Sequence, residues 1–103
     1  MDKKAIVELN KFKKEVKKKI TIEKMIFFGS RIGKRYHEDS DIDLIIVSKE
    51  FRGINFFKRV SRMYDFWRLN YPVDFLCYTP REFNKLKKEV SIVSEALREG
   101  IEI

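Results

Sequence analysis

The segment FFGS at positions 27–30, followed after ten residues by DID at positions 41–43, decides the fold that this sequence favours. The first segment is typical of a strand that ends in a glycine turn with a hydroxyl, and the second of a strand that begins with carboxylates. Residues i and i+2 of a strand point to the same side, so Asp41 and Asp43 direct both carboxylates to one point. Paired carboxylates suit a hard divalent cation, and the turn beside them suits a phosphate. The segment therefore predicts a metal-dependent nucleotide site.

The length and composition indicate one small folded domain over residues 1–103. Hydrophobic residues make up 44% of the 103 residues and charged residues 38%, which favours a soluble protein with a modest core. No apolar run approaches the roughly 20 residues that span a bilayer, and the N-terminus lacks the apolar stretch of a secretory signal. Cys77 and His37 are the single cysteine and histidine, which excludes an internal disulfide and a Cys/His zinc set. A cytoplasmic protein is expected.

The positive charge is concentrated near the N-terminus. The net charge is +7, and residues 1–25 contain nine lysines against four acidic residues. A basic helix in this region suits a polyanion such as RNA, or it is simply a solvated helix face. Both readings stay open at this point.

Apolar patterns predict an α/β (α+β) fold in which helices pack on a small mixed sheet of three to four strands. The predicted strands are residues 25–28, 41–47 and 72–78, with an edge strand at 101–103. The predicted helices are residues 3–19, 54–69 and 79–99, the last opening on a capping box, TPRE, at 79–82.

Two details of the helices are also predicted. The buried stripe of helix 54–69 is expected to contain Phe57, Val60, Tyr64 and Trp67, and Asn70 is expected to end it in a left-handed cap. Ser30 is expected to cap a helical turn after the glycine.

A third carboxylate is expected to complete the site. Asp74 lies in the strand 72–78 between Val73 and Phe75, where a charge is costly unless it is paired or bound to metal. If the second and third strands are adjacent, the three carboxylates converge at one edge of the sheet. They would then hold two Mg²⁺ ions that bracket an in-line displacement at phosphorus.

The pattern GSx10DxD, formed by Gly29-Ser30 and Asp41-x-Asp43, resembles the signature of the DNA polymerase β-like nucleotidyltransferases. Its close form, GSR at 29–31 and DSDIDL at 39–44, is similar to the minimal nucleotidyltransferases of bacteria and archaea. The segments PVD at 72–74 and TPREF at 79–83 match that group as well. One departure is IGK at 32–34, where the group commonly has Ala-Arg-Gly.

The resemblance implies a role for each matching residue. Gly29 and Ser30 would bind the β- and γ-phosphates of a nucleoside triphosphate such as ATP. Asp41 and Asp43 would bind both metal ions, and Asp74 would bind the catalytic one and help deprotonate the attacking hydroxyl. Arg31 and Lys34 would neutralise phosphate charge.

The resemblance also implies a partner. Minimal enzymes of this group resemble antitoxins that pair with a HEPN-domain ribonuclease toxin, and some transfer AMP from ATP to a tyrosine of that toxin. Two alternatives stay open: a non-catalytic module that neutralises its partner by complex formation, and an RNA-directed transferase that uses the basic N-terminal helix. The sequence leaves the acceptor, the base preference and the oligomeric state open.

Overall fold

The structure is a computed structural model that describes residues 2–33, 36–37 and 39–103. Within these residues the chain forms four α-helices, four strands and two 3-10 turns. In chain order they are α1 (Lys3–Lys17), β1 (Lys24–Phe28), a 3-10 turn (Ser30–Ile32), β2 (Ile42–Val47), a 3-10 turn (Lys49–Phe51), α2 (Phe56–Tyr64), β3 (Val73–Tyr78), α3 (Pro80–Leu86), α4 (Ile92–Glu99) and β4 (Ile101–Glu102).

The four strands form one mixed sheet in the order β3-β2-β1-β4. β1 is antiparallel to both β2 and β4, whereas β2 and β3 run parallel. The parallel register places Asp43 directly opposite Asp74. The predicted fold class, the adjacency of the second and third strands, and the terminal edge strand are confirmed.

Helices cover both faces of the sheet. Alternate strand residues such as Leu44 and Phe75 pack with α1 and α2, whereas the intervening residues such as Ile45 pack with α3 and α4. Because side chains of a strand alternate between faces, Asp43 and Asp74 lie on the α3 and α4 face. Both faces of the central strands are buried along most of their length, which explains their continuous apolar sequence.

The prediction for helix 54–69 is wrong in its length, and of its predicted stripe only Val60 and Trp67 are among the partly buried residues that pack against the core. α2 starts after Asn55, whose side chain accepts a hydrogen bond from the Lys58 amide, and it ends at Tyr64. Its buried residues are Arg59 and Met63, and Phe57 is 89% exposed. The most buried residues thus lie one position before Val60 and Tyr64 of the predicted stripe, and an ion pair with Glu82 lets an arginine occupy an inward position.

The aromatic residues beyond α2 reach the core from the following turn. Trp67 packs edge-on against Phe12, with ring centroids 4.9 Å apart, and its indole N–H donates to the Tyr71 carbonyl at 2.9 Å. The predicted left-handed cap at Asn70 is also wrong, because none of the described non-glycine residues has a positive φ.

The predicted helix 79–99 is two helices. The capping box of Thr79 and Glu82, with Pro80 in the first turn, is confirmed at the start of α3. A second box, in which the Ser91 and Ser94 side chains cap each other's backbone, starts α4. The Ser91 hydroxyl also donates to the Leu86 carbonyl at 2.7 Å, which ties the end of α3 to the start of α4. No helix among the described residues is long and apolar enough to cross a membrane.

Candidate active site

Gly29 joins β1 to the following 3-10 turn and lies against the carboxylate of Asp43. It has a φ of +90°, a conformation that side-chain-bearing residues rarely adopt. A Cβ at this position would stand 1.9 Å from Asp43 Oδ2 and 2.9 Å from its Cγ. Glycine is therefore required at position 29 for two reasons, the positive φ of the backbone and the close approach of the Asp43 carboxylate.

Ser30 is exposed and begins the 3-10 turn Ser30–Ile32. The prediction that Ser30 caps this turn is wrong, because Gly29 occupies the cap position and no side-chain hydrogen bond closes it. Because Gly29 has a positive φ, the chain turns at Gly29, and the cap position of the 3-10 turn lies one residue before the predicted Ser30. This arrangement leaves the Ser30 hydroxyl at the surface beside the Gly29 backbone.

Asp43 and Asp74 occupy equivalent positions, each the second residue of its strand, in directly paired register. Asp43 is partly buried, whereas Asp74 is exposed. Desolvation by burial, followed by the charges of Asp74 and Asp41, raises the pKa of Asp43 from 3.8 to about 6. The three carboxylates are thus close enough to repel one another.

Asp41 lies one residue before β2 and is exposed. Within the described residues, no group of three or more His, Cys, Asp or Glu side chains is arranged closely enough to hold a metal ion. Asp41, Asp43 and Asp74 therefore lie near enough to interact electrostatically, but their side chains do not form a ready-made set of three metal ligands. The oxygen donors themselves fit a hard divalent cation, and the repulsion seen in the Asp43 pKa is what such a cation would relieve.

A cavity opens directly beside these carboxylates. It has a volume of about 310 Å³ and is lined by Phe28, Asp43, Asp74, Phe75, Leu76 and Ile92. A smaller cavity of about 190 Å³ shares Phe28 and Ile92 and extends to Gly29. The site therefore combines acidic oxygens and an apolar wall, as expected of a pocket that holds an organic group next to reacting atoms.

Tyr64 is a neighbour of the site that sequence reasoning placed in the core. Its hydroxyl donates to the Val73 carbonyl at 2.6 Å, immediately before Asp74 in the chain. Burial and then the charges of Asp74 and Asp41 raise the pKa of its hydroxyl. The helical spacing of Tyr64 gave no indication that it lies near Asp74, because the contact between the end of α2 and the start of β3 depends on the tertiary structure.

Arg31 points into the protein rather than towards the Gly29 turn surface. Its side chain is 2% exposed, its Nη1 is 2.6 Å from Asp2 Oδ2, and its Nε donates to the Ser40 carbonyl at 2.7 Å. The neutralisation of phosphate charge that the resemblance implies for Arg31 does not suit this placement, because its charge is already paired with Asp2. Lys34, the other predicted phosphate contact, lies outside the described residues.

Comparison with known proteins agrees with this geometry. The family described as the nucleotidyltransferase domain matches residues 9–103. A crystal structure at 1.40 Å resolution of a candidate nucleotidyltransferase from Sulfolobus solfataricus is similar, with a TM-score of 0.62 and 26% sequence identity. The similarity covers 89% of this chain and 72% of that chain. Among curated proteins there is no significant match. Since the family match includes the strands β1, β2 and β3 and extends to the last residue, the chain belongs to the nucleotidyltransferase domain family.

Proposed function

We propose that this protein is a Mg²⁺-dependent nucleotidyltransferase that transfers AMP from ATP to a tyrosine hydroxyl of a HEPN-domain ribonuclease toxin. One observation carries the catalytic part of this proposal: Asp43 and Asp74 are paired across β2 and β3, with the Gly29 turn packed against Asp43. Membership in the nucleotidyltransferase domain family supports the reaction class and the nucleoside triphosphate substrate.

Each residue of the site has a distinct part in the proposed reaction. Asp41, Asp43 and Asp74 would hold two Mg²⁺ ions, which when bound neutralise the phosphate charge and favour the ionised form of the attacking hydroxyl. The backbone N–H groups of the Gly29 turn and the Ser30 hydroxyl would bind the β- and γ-phosphates.

The proposed step is a substitution at the α-phosphorus. A carboxylate oxygen of Asp74 accepts the proton of the attacking hydroxyl, and the hydroxyl oxygen of the acceptor forms a bond to the α-phosphorus. The bond between the α-phosphorus and the bridging oxygen to the β-phosphate breaks, and pyrophosphate leaves. The AMP group is then attached to the acceptor through a phosphodiester.

The cavity beside Asp74 supports an aromatic acceptor. Its apolar lining of Phe28, Leu76 and Ile92 suits the ring of a tyrosine, and the same cavity exposes the carboxylate that would take the hydroxyl proton. The resemblance to minimal nucleotidyltransferases that modify a HEPN toxin supports the identity of the partner.

The test is a transfer assay with ATP labelled at the α-phosphate, Mg²⁺, and the HEPN-domain partner. We expect the label on the partner, a mass increase of one AMP on a tyrosine, and loss of both with Asp41→Asn/Asp43→Asn. Label that persists in the double variant would show that these carboxylates do not carry the reaction. If the double variant forms no label yet still silences the toxin, the non-catalytic alternative is favoured.

One observation favours the RNA-directed alternative enough to test it. α1 buries Ala5, Leu9, Phe12 and Val16 on one face, and Lys14 and Lys17 of this helix are exposed, as is Lys19 just after it. Replacing these three lysines by Glu should weaken binding and labelling of RNA if RNA is the acceptor. Unchanged labelling of the protein partner by the same variant would favour the HEPN toxin.

A further inference from the structure

Arg31 forms a buried ion pair at the base of the loop between the glycine turn and β2. Arg31 and Asp2 are 2% and 5% exposed, and their closest approach is 2.6 Å between Nη1 and Oδ2. A buried charge pair is tolerated only where its remaining polar groups are also bonded. That condition is met here, because Asp2 Oδ1 also accepts from the Ala5 amide at 3.0 Å.

The backbone reinforces the same pairing. The Asp2 amide donates to the Arg31 carbonyl at 3.2 Å, so the two residues are joined through both main chain and side chain. Asp2 is the N-cap of α1. The start of the first helix is therefore attached to the turn that follows Gly29.

Two further contacts of the guanidinium reach the other two segments of the site. Its Nε donates to the Ser40 carbonyl at 2.7 Å, and Ser40 directly precedes Asp41. Its Cζ lies 4.8 Å from the centre of the Tyr71 ring. The next residue, Pro72, accepts a hydrogen bond from the Ile42 amide at 2.8 Å, which joins the starts of β2 and β3.

We propose that Arg31 is a positioning residue for nucleotidyl transfer, which holds the Gly29 turn, Asp41 and the start of β3 in their working arrangement from beneath the site. This inference rests on the proposed transfer reaction. Arg31 touches neither substrate nor reacting atoms in this role; it acts through Asp2, the Ser40 carbonyl and Tyr71. Small displacements of catalytic groups are costly, because a shift of about 1 Å lowers rates on the order of 100-fold.

The chain contains a matched control for this role. Arg59 is also buried, at 7% exposure, and its Nη1 pairs with Glu82 Oε1 at 2.6 Å. Its Nε likewise donates to a backbone carbonyl, that of Ile54, at 2.7 Å. It also donates to the Cys77 carbonyl near the far end of β3, at the opposite end of the strand from Asp74.

The experiment compares Arg31→Lys with Arg59→Lys in the full chain. Lysine keeps the positive charge but lacks the planar guanidinium, whose several N–H groups can bond a carboxylate and a backbone carbonyl at the same time. We expect both variants to lower the melting temperature to a similar extent. Activity is compared at a temperature where both variants are folded. In Arg31→Lys we expect kcat to fall on the order of 100-fold, with a small change in the KM for ATP. In Arg59→Lys we expect kcat to stay within about twofold of wild type. Equal kcat in the two variants would overturn the proposal.

A second readout separates this proposal from the proposed function. Amide chemical shifts of a ¹⁵N-labelled sample should change at Gly29, Asp41 and Asp74 in Arg31→Lys and stay unchanged at these positions in Arg59→Lys. If wild type transfers no nucleotide, the proposed function fails, and the shifts alone decide the role of Arg31. If the shifts at those three residues do not move, Arg31 does not position them. Should Arg31→Lys not fold, Asp2→Asn serves as the milder variant, with Glu82→Gln as its control.

Discussion

The Cα of Gly29 and the carboxylate of Asp43 are in direct contact across the end of the β1–β2 pair. A methyl group on Gly29 would lie 1.9 Å from Asp43 Oδ2, well inside van der Waals contact. The antiparallel register brings about this approach, because Phe28 pairs with Asp43 and Gly29 is the next residue. A glycine is thus needed at position 29 because the Asp43 carboxylate leaves no room for a side chain, in addition to the phosphate binding proposed for Gly29.

Gly29→Ala should abolish transfer, because the new methyl group displaces Asp43 or the turn. Gly53 offers a matched control, since its φ is also positive, at +76°, but no atom lies within 4 Å of a Cβ built there. Both substitutions should cost about 1–2 kcal/mol of unfolding free energy through backbone strain. Denaturant unfolding and the labelled-ATP assay measure the two effects, and an active Gly29→Ala enzyme would contradict the contact.

The raised pKa of Asp43 predicts that the metal-free protein loses stability as the pH rises from about 4 to about 7. Between 3.8 and about 6, the folded state binds a proton that the unfolded state has released, so the free energy of unfolding falls as that proton is lost. Because Asp43 is partly solvated, we expect an effect of about 1–2 kcal/mol.

Urea unfolding in the presence of EDTA at pH 4.5 and pH 7.5 measures this effect. These two pH values lie about 1.5 pH units below and above the expected pKa of Asp43. Asp43→Asn should show a flatter profile and exceed wild type in stability at the higher pH. An identical pH profile for the variant and wild type would assign the dependence to other groups.

Asp74→Asn should lower the pKa of Asp43 and reduce transfer sharply. The Asp74 charge is the second cause of the raised pKa, after desolvation, so the pKa should move towards 3.8 without reaching it. A ¹³C titration of the Asp43 carboxyl measures the change. Asp65→Asn, at the C-terminal cap of α2, is the control and should leave the titration unchanged.

Ile92→Trp should fill the cavity beside the carboxylates and impair substrate binding. Ile92 is 47% exposed and lines both cavities of the site. A larger side chain at this position should therefore extend into the cavities without disturbing the packing of the core. We expect the KM for ATP or for the acceptor to rise on the order of tenfold, with the melting temperature close to that of wild type. Leu97→Trp, on the same helix with 42% exposure, is the control, and equal kinetics in both variants would argue against use of this cavity.

Local patterns predicted a large part of this structure. The strands around the motif and the capping box of Thr79 and Glu82 depend on residues two to four positions apart, and the structure confirms them. The expectation that Asp41 and Asp43 point the same way used the same short-range geometry, although Asp41 lies one residue before β2. Asp74 stood out as a carboxylate in an apolar strand, but the structure exposes it, so the burial cost on which that expectation rested is absent.

Tertiary contacts decided the features that local patterns could not. Arg31 is buried because Asp2, distant in sequence, supplies its counter-charge, and no periodicity connects the two. Arg59 likewise enters the protein through its ion pair with Glu82, so the most buried face of helix α2 is shifted by one residue from the expected stripe. The sequence by itself determined which side chains are available for the proposed chemistry, since that depends on residue type and short spacing. Only the tertiary structure decided how Asp43 meets Asp74 and Gly29, because strand pairing and buried charge pairs join segments that are far apart along the chain.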